Sequence, residues 1–207
     1  MPDVIRRPSI DLRWSHAAKH LGSGPSGPPS LFTRQPEWEN LMKSLDELFM
    51  HFLQDVYYAE RQLLKALPKM AKNAQEPALK AAFTVHREET VHQVERLEQV
   101  FEHLGKRAKG VPCEAIKGLI EEADEVLEES DVGAVRDAGL AACGQAVEHY
   151  EIARYGALIA WAQAGGHKEI VGLLQQTLDE EKKADKLLND LATKHINKSA
   201  AALAKAT

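Results

Sequence analysis

The chain predicts an all-α protein: four long antiparallel helices in a bundle, with an extra short helix in one long crossover. Three observations lead there. From about Glu39 onward, apolar residues recur with the 3.6-residue period of helices in five segments, four of them near 30 residues long. The breaks between the four long segments run short, long, short. The composition, 44% hydrophobic and 28% charged with only 6% aromatic residues, suits helix packed on helix better than a sheet built from aromatic and β-branched residues.

The first segment runs from about Glu39 to Ala74 and the second from about Pro77 to Leu104. Glu76-Pro77 marks the start of the second, because proline is tolerated in the first helical turn, where its missing N–H costs nothing. Gly105 and Gly110-Val111-Pro112 mark its end. A shorter segment spans about Cys113 to Glu129. The fourth, from about Val132 to Ala164, follows Ser130-Asp131 as a cap and stops at Gly165-Gly166. The last spans roughly His167 to Ile196. Connections of a few residues join the first to the second and the fourth to the fifth, and such links make antiparallel hairpins. Two hairpins joined by one long crossover are the ferritin-like variety of four-helix bundle. The bundle is expected over residues 41–197, with a flexible tail at 198–207.

Residues 1–40 are a different kind of sequence. Gly22-Ser23-Gly24-Pro25-Ser26-Gly27-Pro28-Pro29-Ser30 can form neither helix nor central strand and has nothing to bury, so a disordered N-terminal extension is expected. Arg6, Arg7 and Arg13 raise a targeting peptide as the competing reading, and Met42-Lys43-Ser44-Leu45 is a natural beginning for the folded part.

Helical wheels at 100° per residue locate the polar groups. Phe49, Phe52, Leu53, Val56, Leu63, Leu64 and Leu67 define the apolar face of the first long helix; Glu60 falls within it and Asp55 well outside. In the fourth segment Glu148 is at the centre of the face set by Ala141, Gly144, Ile152, Tyr155 and Ile159, and Glu151 is toward its edge. In the fifth, Glu181 is central, Asp185 lies one turn on and Glu180 points sideways. In the second, His86 is near the middle of the apolar direction and Glu89 at its margin; His92 is roughly a third of a turn off, farther out than Gln93. Each long helix thus brings a carboxylate to the core: Glu60, Glu89, Glu148 and Glu181. Burying one unpartnered carboxylate costs several kcal/mol. Arg96 is the main core-facing cation in sequence, so two divalent ions held by hard oxygen ligands are the better solution.

The remaining features narrow the function classes. A net charge of −5 argues against general nucleic-acid binding, which needs a basic face. No run is long and apolar enough for a membrane, and no secretory signal is seen, so a cytoplasmic setting is expected. Cys113 and Cys143 carry no motif and read as buried small residues. His149 and Tyr150 fall off the core face, and the acidic run Glu121-Glu122-Ala123-Asp124-Glu125 reads as a solvated helix surface. Val91, Val94 and Phe101 lie outside a four-helix core on the second helix, and such a stripe predicts a homodimer.

Ala59-Glu60-Arg61-Gln62-Leu63, His86-Arg87-Glu88-Glu89-Thr90, Gly118-Leu119-Ile120-Glu121-Glu122, Val147-Glu148-His149-Tyr150-Glu151-Ile152-Ala153-Arg154-Tyr155-Gly156 and Thr177-Leu178-Asp179-Glu180-Glu181-Lys182 are motifs in which the chain resembles the YciE/YciF family of bacterial ferritin-like stress proteins. The resemblance covers about residues 42–195. It implies a cytoplasmic, dimeric helical bundle with a ferritin-like metal centre and a link to stress responses. The wider ferritin-like pattern supplies one Glu from each of two helices and Glu-x-x-His from each of the other two. Matched to it, Glu60 and Glu148 are the single glutamates, and Glu89 and Glu181 begin the pairs. Ala184 stands where the second histidine belongs, with Asp185 as the nearest substitute, and the Glu89–His92 pair has a histidine turned partly away. Glu151 offers an extra oxygen. Such an oxygen-rich centre accommodates manganese as well as iron. Two function classes follow: a di-iron or di-manganese protein reacting with oxygen or peroxide, whose status as an enzyme stays open, and a non-catalytic dimeric scaffold with a polar core.

Overall fold

The computed structural model describes residues 42–203. The expected extension over 1–40 lies outside those residues. Helix α1 covers Leu45–Asn73, α2 Pro77–His103, α3 Glu114–Glu129, α4 Ala134–Ala164 and α5 Lys168–Leu191. A π-helical turn, Ala192–Ile196, continues α5 into α6, Asn197–Leu203. Residues 198–203, placed by the sequence in a flexible tail, are helical here and none is buried.

Local chemistry sets the boundaries. Ser44 caps α1 by accepting from the Glu47 amide at 3.1 Å, and Glu47 reaches back to accept from the Lys43 amide at 2.6 Å. This is close to a capping box and satisfies amides that a helix start leaves open. Pro77 opens α2. The two amides just before it, Gln75 and Glu76, donate to the carboxylate of Asp137 on α4 at 2.8 and 2.7 Å. At the α4–α5 turn Gly166 has φ of +76°, a conformation that favours glycine.

Helices α1 and α2 form one hairpin, and α4 and α5 the other; α2 packs across on α5 and α1 on α4, while α3 covers α4 and α1. The ferritin-like arrangement read from the connection lengths is the one observed. At Gly144 a Cβ would come within 2.9 Å of Leu188 and 3.1 Å of Phe83, so its absence lets α4 approach α2 and α5 closely. No helix of the described residues is long and apolar enough to cross a membrane.

The apolar interior is in two parts. One contains Leu63, Leu67, Leu79, Phe83, Leu140 and Leu188; the other contains Leu53, Val56, Leu97, Tyr155, Leu158 and Leu174. In sequence, the core glutamates of α1, α4 and α5 fall between the two sets, so a polar layer is sandwiched between two apolar plugs. Two sequence assignments change. Phe101 is 1% exposed and stacks edge-on against Tyr57, with ring centroids 5.5 Å apart, so it belongs to the core and not to an outer stripe. Asp55 is buried, with His51 3.8 Å away and the charge of Arg154 close by on that side of α1. Burial pushes its carboxyl up, with His51 and Arg154 pulling the other way.

Candidate metal centre

Glu60 from α1, His86 and Gln93 from α2, Glu148 and Glu151 from α4, and Glu181 from α5 are all buried, four of them with no exposed surface. The wheel positions explain this: residues 86 and 93 are two turns apart on one face of α2, and 148, 151 and 155 follow one face of α4. His86, Glu148, Glu151 and Glu181 each offer a ligand atom, and these atoms lie within 4.8 Å of one another. The His86 Nε2 atom is 3.3 Å from Glu148 Oε1 and 3.6 Å from Glu181 Oε2. Its Nδ1 is 3.6 Å from Glu89 Oε2 on the outer side.

Two groups hold the carboxylates from behind. Tyr155 donates its hydroxyl to Glu60 Oε1 at 2.5 Å, and Gln93 donates its amide to Glu181 Oε1 at 2.5 Å. The oxygens left over have no partner: Glu60 Oε2, Glu148 Oε2, both oxygens of Glu151 and Glu181 Oε2 are buried and unsatisfied, as are both ring nitrogens of His86. An unsatisfied buried polar group costs about 1–3 kcal/mol, more when charged, and here one ligand atom each of His86, Glu148, Glu151 and Glu181 falls within 4.8 Å of the others, with Glu60 entering from α1. Their donor set, four carboxylates and an imidazole, is the chemistry that first-row divalent metals take. The residues present therefore fit a metal ion.

The electrostatics agree. Burial, and then the charge of Glu181, hold the Glu60 and Glu148 carboxyls well above the usual carboxylate range. Burial does the same to Glu151, followed by Glu60 and Glu181. Glu181 is also raised by burial, and His86 counters part of that effect. The Tyr155 hydroxyl is pushed well up by burial and by Glu60, so it stays a donor.

The other expected ligands lie farther out. Glu89 is half exposed, its side chain 37% accessible, at the margin of the cluster beside His86. Asp185 accepts from Gln145 at 3.2 Å and lies 3.2 Å from the exposed His149, yet is near enough to raise Glu148. His92 is not brought in. It lies six residues on from His86, about 240° round the helix, and its exposed ring pairs with Glu95 at 3.1 Å. Glu180 turns aside to pair with Arg96, which also donates to Thr177 at 3.0 Å. That pair engages Arg96 away from the cluster, and its charge only partly offsets the rise of Glu60. Both cysteines are free and buried. Cys113 lies 3.0 Å from the hydroxyl of Tyr150, which is half-buried and packs against the core. The wheels put Gln93 and Tyr155 on the core side, and Tyr155, near the acids, reads from sequence either as a partner to a ligand carboxylate or as a packing residue.

A family model described as a domain of unknown function, DUF892, matches residues 44–201. The chain belongs to the DUF892 family. Within DUF892, it is 46% identical over 160 residues to the protein YciF of Escherichia coli (strain K12), covering 77% of this chain and 96% of that protein. The crystal structure described as the E. coli stress protein YciF matches with a TM-score of 0.73 at 46% identity, over 76% of this chain and 99% of that one. YcfI from Rhodopseudomonas palustris, described as a structural protein, matches with a TM-score of 0.69 at 50% identity, over 76% of this chain and 97% of its own. The motif resemblance to YciF thus extends through nearly all of the DUF892 bundle.

Proposed function

We propose that this protein is a ferritin-like bundle that binds two divalent transition metal ions, iron or manganese, and serves the bacterial stress response. The observation that carries the reading is the set of unpartnered buried atoms on Glu60, His86, Glu148, Glu151 and Glu181. Four ionised carboxylates carry four negative charges, and two divalent cations balance them without placing any other charge in the core. His86, Glu148, Glu151 and Glu181 are the inner donors, Glu60 completes the set from α1, and Glu89 and Asp185 stand at its edge. Bound iron or manganese supplies one-electron chemistry toward oxygen or peroxide. The chain's own residues do the rest. Tyr155 and Gln93 fix the carboxylates on either side, and the two apolar plugs keep bulk water from the layer. The link to stress rests on the description of the YciF relative. We further propose a cytoplasmic homodimer; of the expected stripe, Val94 packs against the core, and Val91, half-buried on α2, is the apolar position left for a partner. A monomeric mass by light scattering at micromolar concentration counts against that.

The deciding experiment is elemental analysis and calorimetry on protein purified without a tag and reconstituted with iron(II) or manganese(II). About two ions per chain are expected from the charge balance. A stoichiometry of zero with the bundle folded overturns the metal reading and leaves a non-catalytic scaffold with a polar core, the role closest to the description of YcfI as structural.

A further inference from the structure

The polar layer is closed along the bundle axis by apolar plugs, so anything entering it must come between helices. One cavity reaches it from the side. It holds about 90 Å³ between α2 and α5, and its wall includes His86, Glu89, Glu148, Lys183, Ala184 and Leu187. Two of those residues, His86 and Glu148, are buried members of the cluster; at the other end Lys183 and Leu187 are exposed. Ala184, with its small side chain, forms part of the wall on the α5 side. A larger side chain at this position, which shares the face of α5 that follows Glu181, would project into it.

Resting on the metal reading above, we propose that this cavity is the port through which a divalent cation enters the layer, with Glu89 as the carboxylate that meets it. Glu89 is placed for the role. Its side chain is 37% accessible, so it contacts water, and its Oε2 is 3.6 Å from His86 Nδ1, so it also contacts the site. The volume sets the state in which the ion passes. At about 30 Å³ per water the cavity holds about three waters, fewer than the six of a full octahedral shell. A cation must therefore exchange part of its water for protein oxygen at the mouth, and Glu89 supplies that oxygen before Glu148 does. Organic substrates of cofactor size do not fit.

The test is stopped-flow loading of the metal-free protein with cobalt(II), followed by its visible absorbance, together with the equilibrium stoichiometry and affinity. Ala184→Leu plugs the port from α5. It is expected to slow loading by at least about tenfold, and to slow removal by a chelator in parallel, with stoichiometry unchanged. Val85→Phe narrows the rim from α2, where Val85 is exposed and easily replaced, and should act in the same direction without risk to the core. Glu89→Gln should slow loading through an open port. Gln176→Leu, exposed on α5 away from the cavity, should load at the wild-type rate. If Ala184→Leu and Val85→Phe both load as fast as wild type, the port is elsewhere and the metal reading stands. If the wild type itself takes up no cobalt, iron or manganese, the metal reading falls and the port with it.

Discussion

Replacing Glu148 with Gln removes one charge from the buried layer at nearly constant volume, and the structure assigns opposite signs to its effect with and without metal. In the metal-free protein the Glu148 carboxyl is held well above its ordinary value of 4.5, first by burial and then by Glu181. Folding at neutral pH must then either keep a proton on this group or bury its charge. The ceiling on that cost is set by the roughly 2.5 pH units between the ordinary value and pH 7, or about 3.4 kcal/mol at 1.36 kcal/mol per unit. Glutamine carries no such cost, and its amide brings donors to a layer in which oxygens of Glu151 and Glu181 lack partners. Metal-free Glu148→Gln should therefore be more stable by up to about 3 kcal/mol, a rise in Tm of roughly 5–10 °C for a chain of this size. With iron or manganese added the order reverses, because the variant has lost an inner donor and gains less from ligand binding. Glu180→Gln is the control. It weakens a largely buried pair with Arg96 and a 3.2 Å bond from Gln93, a loss of about 1–3 kcal/mol that should have the same sign in both states. Thermal melts of the two variants and wild type, each with and without metal, give the comparison. If Glu148→Gln lowers Tm in the metal-free state, the glutamate is an ordinary paired group and the buried-charge argument is wrong.

Three further outcomes follow from the same geometry. Because Glu60, Glu148, Glu151 and Glu181 all have raised values in the fold, their contribution to metal-free stability is fully present below the ordinary carboxylate value and is lost as pH rises through the folded values. Urea denaturation of metal-free protein should show stability falling from about pH 5 to pH 8, and added metal should flatten the curve; a metal-free stability that rises over that range contradicts it. Tyr155→Phe keeps the ring and removes the donor to Glu60, so metal affinity should drop by roughly tenfold or more in calorimetry, whereas an unchanged affinity would make Tyr155 a packing residue only. Asp137→Ala strands the amides of Gln75 and Glu76 and should cost about 2 kcal/mol in both metal states, measured by the same urea titration; a loss seen only with metal would refute that account.

The angle of a helical side chain can be read from its number, so the sequence alone puts Glu60, Glu148 and Glu181 in the core and favours His86 over His92. What a wheel lacks is the width of the buried arc, which depends on how many neighbours a helix has. Helix α1 touches α2, α4 and α3, so Asp55 and Tyr57, outside the main apolar stripe, are buried as well. Helix α2 meets both α1 and α5, and Phe101 falls inside that wider arc. Partners across helices are also invisible on a wheel. The Arg96–Glu180 pair and the Tyr155–Glu60 bond span 84 and 95 residues. The side cavity depends on the distance between α2 and α5, although Ala184 was visible as the missing histidine.

The carboxylate of Asp137 has a consequence for how the molecule opens. Gln75 and Glu76 sit in a tight turn, where backbone amides ordinarily exchange their hydrogens with solvent quickly. Here both are bonded to a side chain on the opposite hairpin. Their exchange should be governed by separation of the α1–α2 hairpin from α4, and not by fraying of the turn. In a deuterium-exchange experiment these two turn amides would report undocking of the hairpins, a motion that amides inside any single helix cannot distinguish from local unwinding.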